Sequence, residues 1–452
     1  MKRQPRVWLW IGVVVLMGLA ALLPGSVAQA QNATREVVIL EASGAVTPPF
    51  AGYIARGIDE ADRRNAEAVI LVLDTPGGNV NVTLDIIQKI RTSDIPVIVF
   101  VGPRGAKAAS AGLLITLAGH AAAMSPDTAI GASSPVGPQG EDLPSTEQQK
   151  MEEYLSAQAR SLAERRGEEA VRLANEAVVE ARAVSASEAL QAHLIDFIAE
   201  DVDDLLDQLD GFTVEVGGVS RTLHTSGVVL VPIRMSQLEQ VLSILTNPNI
   251  VFILLSLGVT AIIVEIRTPG GWAAGTVGVI CVGLALYGLG VLPVNWLGII
   301  FILLAFVLFI LELKTPTNGV LSAAAIISMA VGAIILLNQP EIAPFGRLSI
   351  PLVIAQSLLV GGFFFFVVIM ALKAQSRRPT TGYEGLVGQI GRVTQDLAPY
   401  GMVQVWGERW RAEPADGRPI PAGSQIEVVE AGRMRLRVRR VESEVEKTKR
   451  EG

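Results

Sequence analysis

Short apolar runs alternate with helical patterns through the first half of the chain. Three runs are rich in Val and Ile: Val37–Leu40, Ala68–Leu73 and Pro96–Val101. Such runs are typical of strands that are buried on both faces. Between them, apolar residues recur at helical spacing, first at Phe50, Ile54, Ile58 and Ala61 and then at Val80, Leu84, Ile87 and Ile90. Strands that alternate with helices predict βαβ units and a parallel sheet.

The same pattern continues to about residue 235. Short strands are predicted at Thr128–Gly131 and Leu194–Ile198. A helix is predicted to begin after Pro144, because Ser145 and Gln148 have the spacing of a capping box. Lys150 then lies at the border of the apolar face of this helix, one turn before Tyr154.

Five long apolar stretches follow, at about 249–266, 272–292, 296–313, 319–337 and 350–372. Each is close to the length that a helix needs to cross a bilayer. The segment Glu265–Gly271 (EIRTPGG) resembles Glu312–Gly319 (ELKTPTNG), so a pair of spans is repeated. A carboxylate near a span end can be an ion site. Pairing with Arg267 or Lys314 at the membrane interface is the simpler interpretation.

The N-terminus has the pattern of a targeting segment. Basic residues precede the apolar run Val7–Leu23, and Ala28-Gln29-Ala30 follows it. This order predicts a secretory signal peptide that is cleaved after Ala30. The apolar core is long for a signal, so an uncleaved anchor is the alternative.

A segment of about sixty residues before the C-terminal tail has a pattern that differs from both the α/β part and the apolar stretches. From about Thr381 to Arg440, short alternating segments are separated by Gly and Pro, which predicts a small five-stranded barrel. Arg435, Arg437 and Arg439 alternate with apolar residues. Barrels of the OB type often bind single strands, but this alternation also fits a strand with one solvated face, and we expect no nucleic acid.

The predicted domain boundaries follow these changes of pattern. They are a signal peptide at 1–30, an α/β domain at 31–235, a membrane domain at 245–374, a barrel at 380–442 and a disordered tail at 443–452. A length of 452 residues agrees with several domains. The single cysteine, Cys281, excludes an intrachain disulfide, and the three histidines lack metal-ligand spacing. We therefore expect no metal and no cofactor.

Two short segments carry the candidate chemistry. Asp74-Thr75-Pro76-Gly77-Gly78 follows the second predicted strand, and Ala108-Ala109-Ser110-Ala111-Gly112 comes shortly after the third. Ligands bind at the carboxyl ends of parallel strands. Gly77 and Gly78 leave backbone N–H groups uncovered, and such donors can hold an oxyanion. Small neighbours leave the hydroxyl of Ser110 accessible.

This pair of segments resembles the ClpP-class serine peptidases, and in particular the NfeD family of membrane-bound proteases encoded beside stomatin-like proteins. The resemblance extends to the helix with Lys150, to Arg160–Gly167 (RSLAERRG) and to Leu194-Ile195-Asp196, and it covers nearly the whole chain. It implies an α/β ClpP/crotonase-like domain, then a multi-span helical membrane domain, then a small all-β OB-type barrel.

The resemblance also implies the roles of the site residues. Ser110 is the nucleophile, Lys150 is the base, and the N–H groups of Gly78 and Ala111 form the oxyanion hole, with Asp74 and Gly77 supporting the turn. A lysine can act as a base if burial lowers its pKa.

Other candidate bases fit less well. His120 is expected at the far end of the Ser110 helix, and the loop that carries the catalytic His in ClpP matches Gly131–Pro135, which contains no His. Lys107 lies only three residues before Ser110. A side chain on that same turn is less able to reach back onto the hydroxyl.

The leading functional hypothesis is a membrane-anchored serine endopeptidase that cleaves hydrophobic segments of membrane-associated proteins such as stomatin homologues. One alternative is a non-catalytic scaffold that organises stomatin-like proteins. Another is a crotonase-like acyl-CoA enzyme, but the signal peptide, the spans and Ser110 argue against it. The implied partners are a stomatin/prohibitin-like protein, the lipid bilayer and further copies of the chain, as a dimer or higher oligomer.

The charge pattern predicts the orientation in the plasma (inner) membrane. Lys373, Arg377 and Arg378 follow the last span and place that end in the cytoplasm by the positive-inside rule. Five spans and a signal peptide then place the α/β domain outside and the barrel in the cytoplasm.

Overall fold

The structure, a computed structural model, describes residues 35–132, 145–267, 271–315, 317, 319–337, 344–375, 383–432 and 434–441. The predicted signal peptide at 1–30 and the tail at 443–452 lie outside the described residues. The segment that matches the catalytic-His loop of ClpP is described only as far as Ala132.

A six-stranded sheet forms the centre of the α/β domain, and all its strand pairs are parallel. Its order is β11-β1-β2-β3-β5-β8. The strands are β1 (Glu36–Ser43), β2 (Ala68–Asp74), β3 (Val97–Val101), β5 (Ala121–Met124), β8 (Phe197–Ile198) and β11 (Val229–Ile233). The parallel sheet that the apolar runs predict is therefore confirmed.

Smaller strands form two additional sheets. One has the order β4-β6-β7, and its strands are β4 (Lys107–Ala109), β6 (Ala129–Gly131) and β7 (Ala183–Ser185). The other is the antiparallel hairpin of β9 (Thr213–Val216) and β10 (Val219–Thr222). The predicted strand at Leu194–Ile198 shortens to β8, because the N–H groups of Leu194 and Ile195 donate back to the carbonyl of Ala189 in the preceding helix.

Eight helices of the described chain precede the membrane spans. They are α1 (Pro48–Arg63), α2 (Val80–Arg91), α3 (Ala111–Ala118), α4 (Ser145–Ala163), α5 (Glu168–Val179), α6 (Ala186–Gln191), α7 (Val202–Leu209) and α8 (Gln237–Ile244). Helices α1 to α6 share one core with one face of the sheet, and α7 packs with the hairpin on the other face. The face predicted for α1 is confirmed, because Phe50, Ile54, Ile58 and Ala61 are all buried.

Five helices in the described residues are long and apolar enough to cross a membrane, judged by length and composition. They are α9 (Pro248–Arg267), α10 (Ala273–Val291), α11 (Trp296–Lys314), α12 (Val320–Leu337) and α13 (Ile350–Gln375). Their bounds agree with the five predicted stretches to within a few residues.

The repeated glutamates bind backbone at the tight connections between spans. The carboxylate of Glu265 accepts the N–H of Trp272 at 2.9 Å and that of Gly275 at 3.2 Å. That of Glu312 accepts the N–H of Thr317 at 2.8 Å and that of Gly319 at 3.1 Å. Each carboxylate thus satisfies N–H groups where the next span begins, where negative charge is favourable. The expected ion pairs with Arg267 and Lys314 stay a prediction.

The C-terminal region is a closed five-stranded barrel in the order β12-β13-β14-β16-β15. The strands are β12 (Ile390–Gln395), β13 (Gly401–Val405), β14 (Glu408–Pro414), β15 (Gln425–Ala431) and β16 (Leu436–Arg440). Its interior is apolar, with Val403, Ile426 and Leu436 fully buried. The barrel is confirmed, and its assignment to the OB type stays a prediction.

Candidate active site

The turn after β2 is hydrogen-bonded to β4, and this pairing brings the two candidate segments together. The N–H of Thr75 donates to the carbonyl of Lys107 at 2.7 Å, and the N–H of Ala109 donates to the carbonyl of Thr75 at 3.0 Å. The next residue along the chain from Ala109 is Ser110. The Gly77 N–H donates to Thr75 Oγ1 at 3.1 Å, which closes the turn.

Ser110 has a strained backbone at the point where β4 gives way to α3. Its φ is 52° and its ψ is −112°, although it is not a glycine. Such conformations cost of order 1–3 kcal/mol and cluster at active sites. The Ser110 N–H donates to Gly131 O at 2.8 Å. Its side chain is partly exposed and does not cap the helix, so the hydroxyl is free to meet a substrate.

Gly77 lies directly against the side chain of Ser110. A Cβ added to Gly77 would stand 2.8 Å from Ser110 Cβ and 3.3 Å from Ser110 Oγ. The φ of Gly77 is +108°, a conformation that side-chain-bearing residues rarely adopt. Because glycine has no side chain, the backbone of the turn can lie next to the hydroxyl, and no other residue fits at this position.

Gly78 and Ala111, the residues that follow Gly77 and Ser110 in the chain, carry the candidate oxyanion donors. Ala111 is the first residue of α3, so its N–H has no acceptor within the helix. The turn is held on its other side by Val46, whose N–H donates to Gly77 O at 2.9 Å and whose carbonyl accepts the Asn79 N–H at 3.0 Å. Those bonds leave the N–H of Gly78 without an acceptor among the described residues.

Asp74 joins the ends of three strands. Its Oδ1 accepts the Lys107 N–H at 3.1 Å, and its Oδ2 accepts the hydroxyl of Ser43 at 3.4 Å. These contacts link β1, β2 and β4 beside the glycine turn. They support the interpretation of Asp74 as a residue that positions the turn.

Lys150 is not brought to Ser110 by any contact within the described residues. It lies in the second turn of α4, a helix that Leu155 and Ala159 anchor in the core. The side chain of Lys150 is exposed, as are those of Met151 and Tyr154. Among the described residues nothing covers Lys150, because the apolar face of α4 reaches the core only from Leu155 onwards, and its role as the base stays a prediction.

His120 is a structural residue at the end of α3 remote from Ser110, as expected. It is only 4% exposed, and its Nδ1 accepts the Val97 N–H at 3.0 Å. Burial, assisted by the charges of Arg91 and Arg165, lowers the pKa of His120 to about 4. The ring is therefore neutral at ordinary pH and serves as an acceptor for β3.

The RSLAERRG and LID motifs meet at this same end of α3. Arg165 donates to the carbonyl of His120 at 2.9 Å and also to that of Gly119. Arg166 forms an ion pair with Asp196 at 2.9 Å, and Asp196 accepts the Ala122 N–H at 2.8 Å. Both arginines thus fix the chain between α3 and β5. The sequence contains both motifs, but their positioning role could not be predicted from it, because the role depends on contacts between segments that are far apart in the chain.

Three family descriptions match successive parts of the chain. They are the NfeD1b N-terminal domain at residues 36–216, the NfeD integral membrane domain at 249–370 and the NfeD-like C-terminal, partner-binding domain at 383–440. Membrane-bound protease PH1510 of Pyrococcus horikoshii is 34% identical over 418 residues, which are 90% of this chain and 94% of that protein. The chain belongs to the NfeD family.

A further protein and a solved structure are also similar to this NfeD-family chain. Membrane protein NfeD1b of Bacillus subtilis is 24% identical over 435 residues, which are 92% of this chain and 94% of that protein. The solved structure of the 1510-N membrane protease specific for a stomatin homolog from Pyrococcus horikoshii is 31% identical. The match covers 47% of this chain and 99% of that one, with a TM-score of 0.41.

The buried His120 predicts a pH-dependent stability of the α/β domain. The pKa of about 4 in the folded state lies below the ordinary histidine value of 6.5, so the unfolded state binds the proton first. The stabilisation is complete above pH 6.5 and is lost as pH falls towards 4. One pKa unit corresponds to about 1.4 kcal/mol, so the total is on the order of 3 kcal/mol.

Hydrogen exchange in β3 and β5, corrected for intrinsic rates, measures this loss in the full chain. His120→Gln should weaken the decline between pH 6.5 and 4, whereas His224→Gln, at an exposed position, should leave it unchanged. An identical decline in wild type and His120→Gln would show that His120 is not its source.

Proposed function

We propose that this NfeD-family protein is a membrane-anchored serine endopeptidase that uses Ser110 and Lys150 as a dyad. The observation that carries the proposal is the strained Ser110, set against a turn that only glycine can form. The proposed oxyanion donors are the N–H groups of Gly78 and Ala111, which follow Gly77 and Ser110 in the chain. The name of its relative from Pyrococcus horikoshii, a membrane-bound protease, supports the same activity.

The proposed reaction is acyl transfer. The Oγ of Ser110 attacks the scissile carbonyl while Nζ of Lys150 takes the hydroxyl proton. The N–H groups of Gly78 and Ala111 hold the oxyanion that develops on the carbonyl oxygen. Lys150 then returns the proton to the leaving amine, and water hydrolyses the acyl-enzyme by the same steps.

Lys150 needs more cover than the described residues give it in order to act in this way. Met151 and Tyr154 flank it on α4 and are exposed like it. An apolar substrate segment that docks over these side chains would remove water from the amine and favour its neutral form. This requirement agrees with hydrophobic segments as the substrate class, and a second copy of the chain is the other surface that can provide cover.

The proposed partner is a stomatin/prohibitin-like membrane protein. The solved relative 1510-N is named as specific for a stomatin homolog, and the barrel matches a partner-binding domain. Trp406 is 62% exposed at the tight connection between β13 and β14, where it can contact a protein. The arginines of β16 are paired on the barrel surface, Arg437 with Glu430 and Arg439 with Glu427. Their pairing supports the expectation that nucleic acid is not a ligand.

The proposed orientation places the α/β domain outside the cytoplasm and the barrel inside it. Single cysteines introduced at Ser220 and Arg418, in a Cys281→Ala background, should react with a membrane-impermeant maleimide from opposite sides of the membrane. Both positions are exposed, one in the hairpin and one in the barrel. Labelling of both from outside intact cells would contradict an odd number of spans between them.

Substitution of the dyad tests the chemistry. Ser110→Ala and Lys150→Ala should each reduce cleavage of a fluorogenic apolar peptide by at least about 10³-fold, and the double variant should be little worse, because the two groups act as a unit.

Lys107→Ala is the matched control. Lys107 is also exposed, and its backbone, which the substitution keeps, makes the bonds to Asp74 and Thr75. This variant should retain most activity. Loss in Lys107→Ala with full activity in Lys150→Ala would transfer the role of base to Lys107. Full activity in Ser110→Ala would contradict Ser110 as the nucleophile, whereas no cleavage by the wild type would favour the scaffold hypothesis.

A further inference from the structure

Helix α8 presents an apolar face that no residue of the described chain covers. Leu238, Val241 and Ile244 are 67%, 50% and 57% exposed. Their spacing of three residues places them on one side of the helix. Helices that face water carry charged residues on the outer side. The outer side of α8 has none, because its other members are the neutral Gln237 and Gln240.

The one charge on α8 is turned towards the α/β domain. Glu239 receives two hydrogen bonds from Arg56 of α1, at 2.9 Å from Nε and 2.7 Å from Nη2. It also completes a capping box with Ser236. The hydrogen bond from Arg56 lowers the pKa of Glu239 to about 2, so the pair is charged at any physiological pH. Helix α8 is therefore attached to α1 with its apolar side outwards.

The end of α8 lies at the level where the spans end. Gly288 is three residues before the end of α10, which is about 4.5 Å along the helix axis. A Cβ on Gly288 would stand 2.4 Å from the carbonyl oxygen of Leu245, the residue that follows α8. The start of α9 is tied to the same level, since Asn249 bonds to the backbone of Arg347 at 3.0 Å and Ser349 at 2.8 Å, just before α13.

We infer that α8 lies in the headgroup region of the bilayer, with Leu238, Val241 and Ile244 in contact with lipid. Continuity with α9, from which α8 is separated by only three residues, identifies the bilayer as the occupant of this face. Amphipathic helices bury such faces at the boundary between headgroups and acyl chains. Through the Arg56–Glu239 pair, the helix holds the α/β domain against the membrane surface.

If the proposed function holds, the position of α8 also determines how a substrate reaches the glycine turn. A cavity of about 590 Å³ lies between the domain and the span ends, and none of its lining residues is charged. Ser43 and Gly44 line one side of it, and Ile244 of α8 lines another. The Gly44 N–H donates to Asp74 O at 2.9 Å, beside the glycine turn. An uncharged segment leaving the bilayer can therefore approach the turn along uncharged surface.

Lipid quenching of a probe on α8 tests the inference independently of protease activity. The full chain carries one native cysteine, so Cys281→Ala gives a background for single cysteines. Val241→Cys and Ile244→Cys, labelled with an environment-sensitive fluorophore, are reconstituted in phosphatidylcholine vesicles. We expect a blue-shifted emission and a loss of fluorescence when nitroxide-labelled lipid is added, with little quenching by aqueous iodide.

Ser220→Cys provides the matched control at an exposed position of the β9–β10 hairpin. Its probe should be quenched by iodide and not by the labelled lipid. Iodide quenching at positions 241 and 244 equal to that at position 220 would overturn the inference. Disulfide formation between copies through Val241→Cys, without lipid quenching, would overturn it in favour of an interface with a second copy.

A second variant tests whether the apolar face holds the helix at the membrane. Leu238→Gln combined with Val241→Gln should reduce lipid quenching of the probe at Ile244→Cys, whereas Gln237→Ser combined with Gln240→Ser should not. Unchanged quenching in the first variant would contradict a role for these side chains. Peptide cleavage is measured in a separate assay. The quenching data therefore locate α8 even if the protein has no protease activity.

Discussion

The pairing of the turn after β2 with β4 is the constraint on which the candidate site depends. Two backbone hydrogen bonds of Thr75 to β4 place Ser110 beside Gly77. Since backbone bonds need no particular side chain, the position of the hydroxyl is determined by where the strands end. The side chains then decide whether the turn can form, and at Gly77 and Gly78 only glycine is compatible with the neighbouring atoms. The strain at Ser110 is maintained because Ala108 of β4 and every residue of α3 are buried.

The contacts around α3 extend this constraint through the domain. Ser110 precedes the first residue of α3, and Arg165 holds the chain just past its last residue. All eight residues of α3 are buried, so the helix cannot turn or slide without opening the core. The site is thus positioned from both ends of one short helix. Segments far apart in sequence, such as Arg166 and Asp196, contribute to that position without approaching the hydroxyl.

The sequence predicts those parts of the structure whose signal is local. The apolar runs of β1, β2 and β3 and the five spans have long or periodic signals, and their bounds agree with the structure. Strand β5 (Ala121–Met124) is missed because alanine has little preference for strands. Strand β14 (Glu408–Pro414) is missed because most of its side chains face outwards and are polar. The exposure of Lys150 could not be predicted either, because the periodicity of α4 does not say where the core ends. The proximity of Gly77 to Ser110 could be inferred only in part. Both segments come after predicted strands of the parallel sheet, β2 and β3, but Ser110 directly follows β4, which belongs to the second sheet and is not predicted from the sequence.

Covalent labelling of the serine tests the central claim most directly, because it reports on the hydroxyl itself. The oxygen of an activated serine attacks the phosphorus of a fluorophosphonate and displaces fluoride, which leaves a phosphonate ester on the serine. Mass spectrometry of the full chain in membranes should then find the adduct on the peptide that contains Ser110. Buried serines such as Ser125 and Ser156 should remain unmodified. An adduct on a different serine, or cleavage of a peptide substrate by a chain whose Ser110 stays unmodified under excess reagent, would contradict the account.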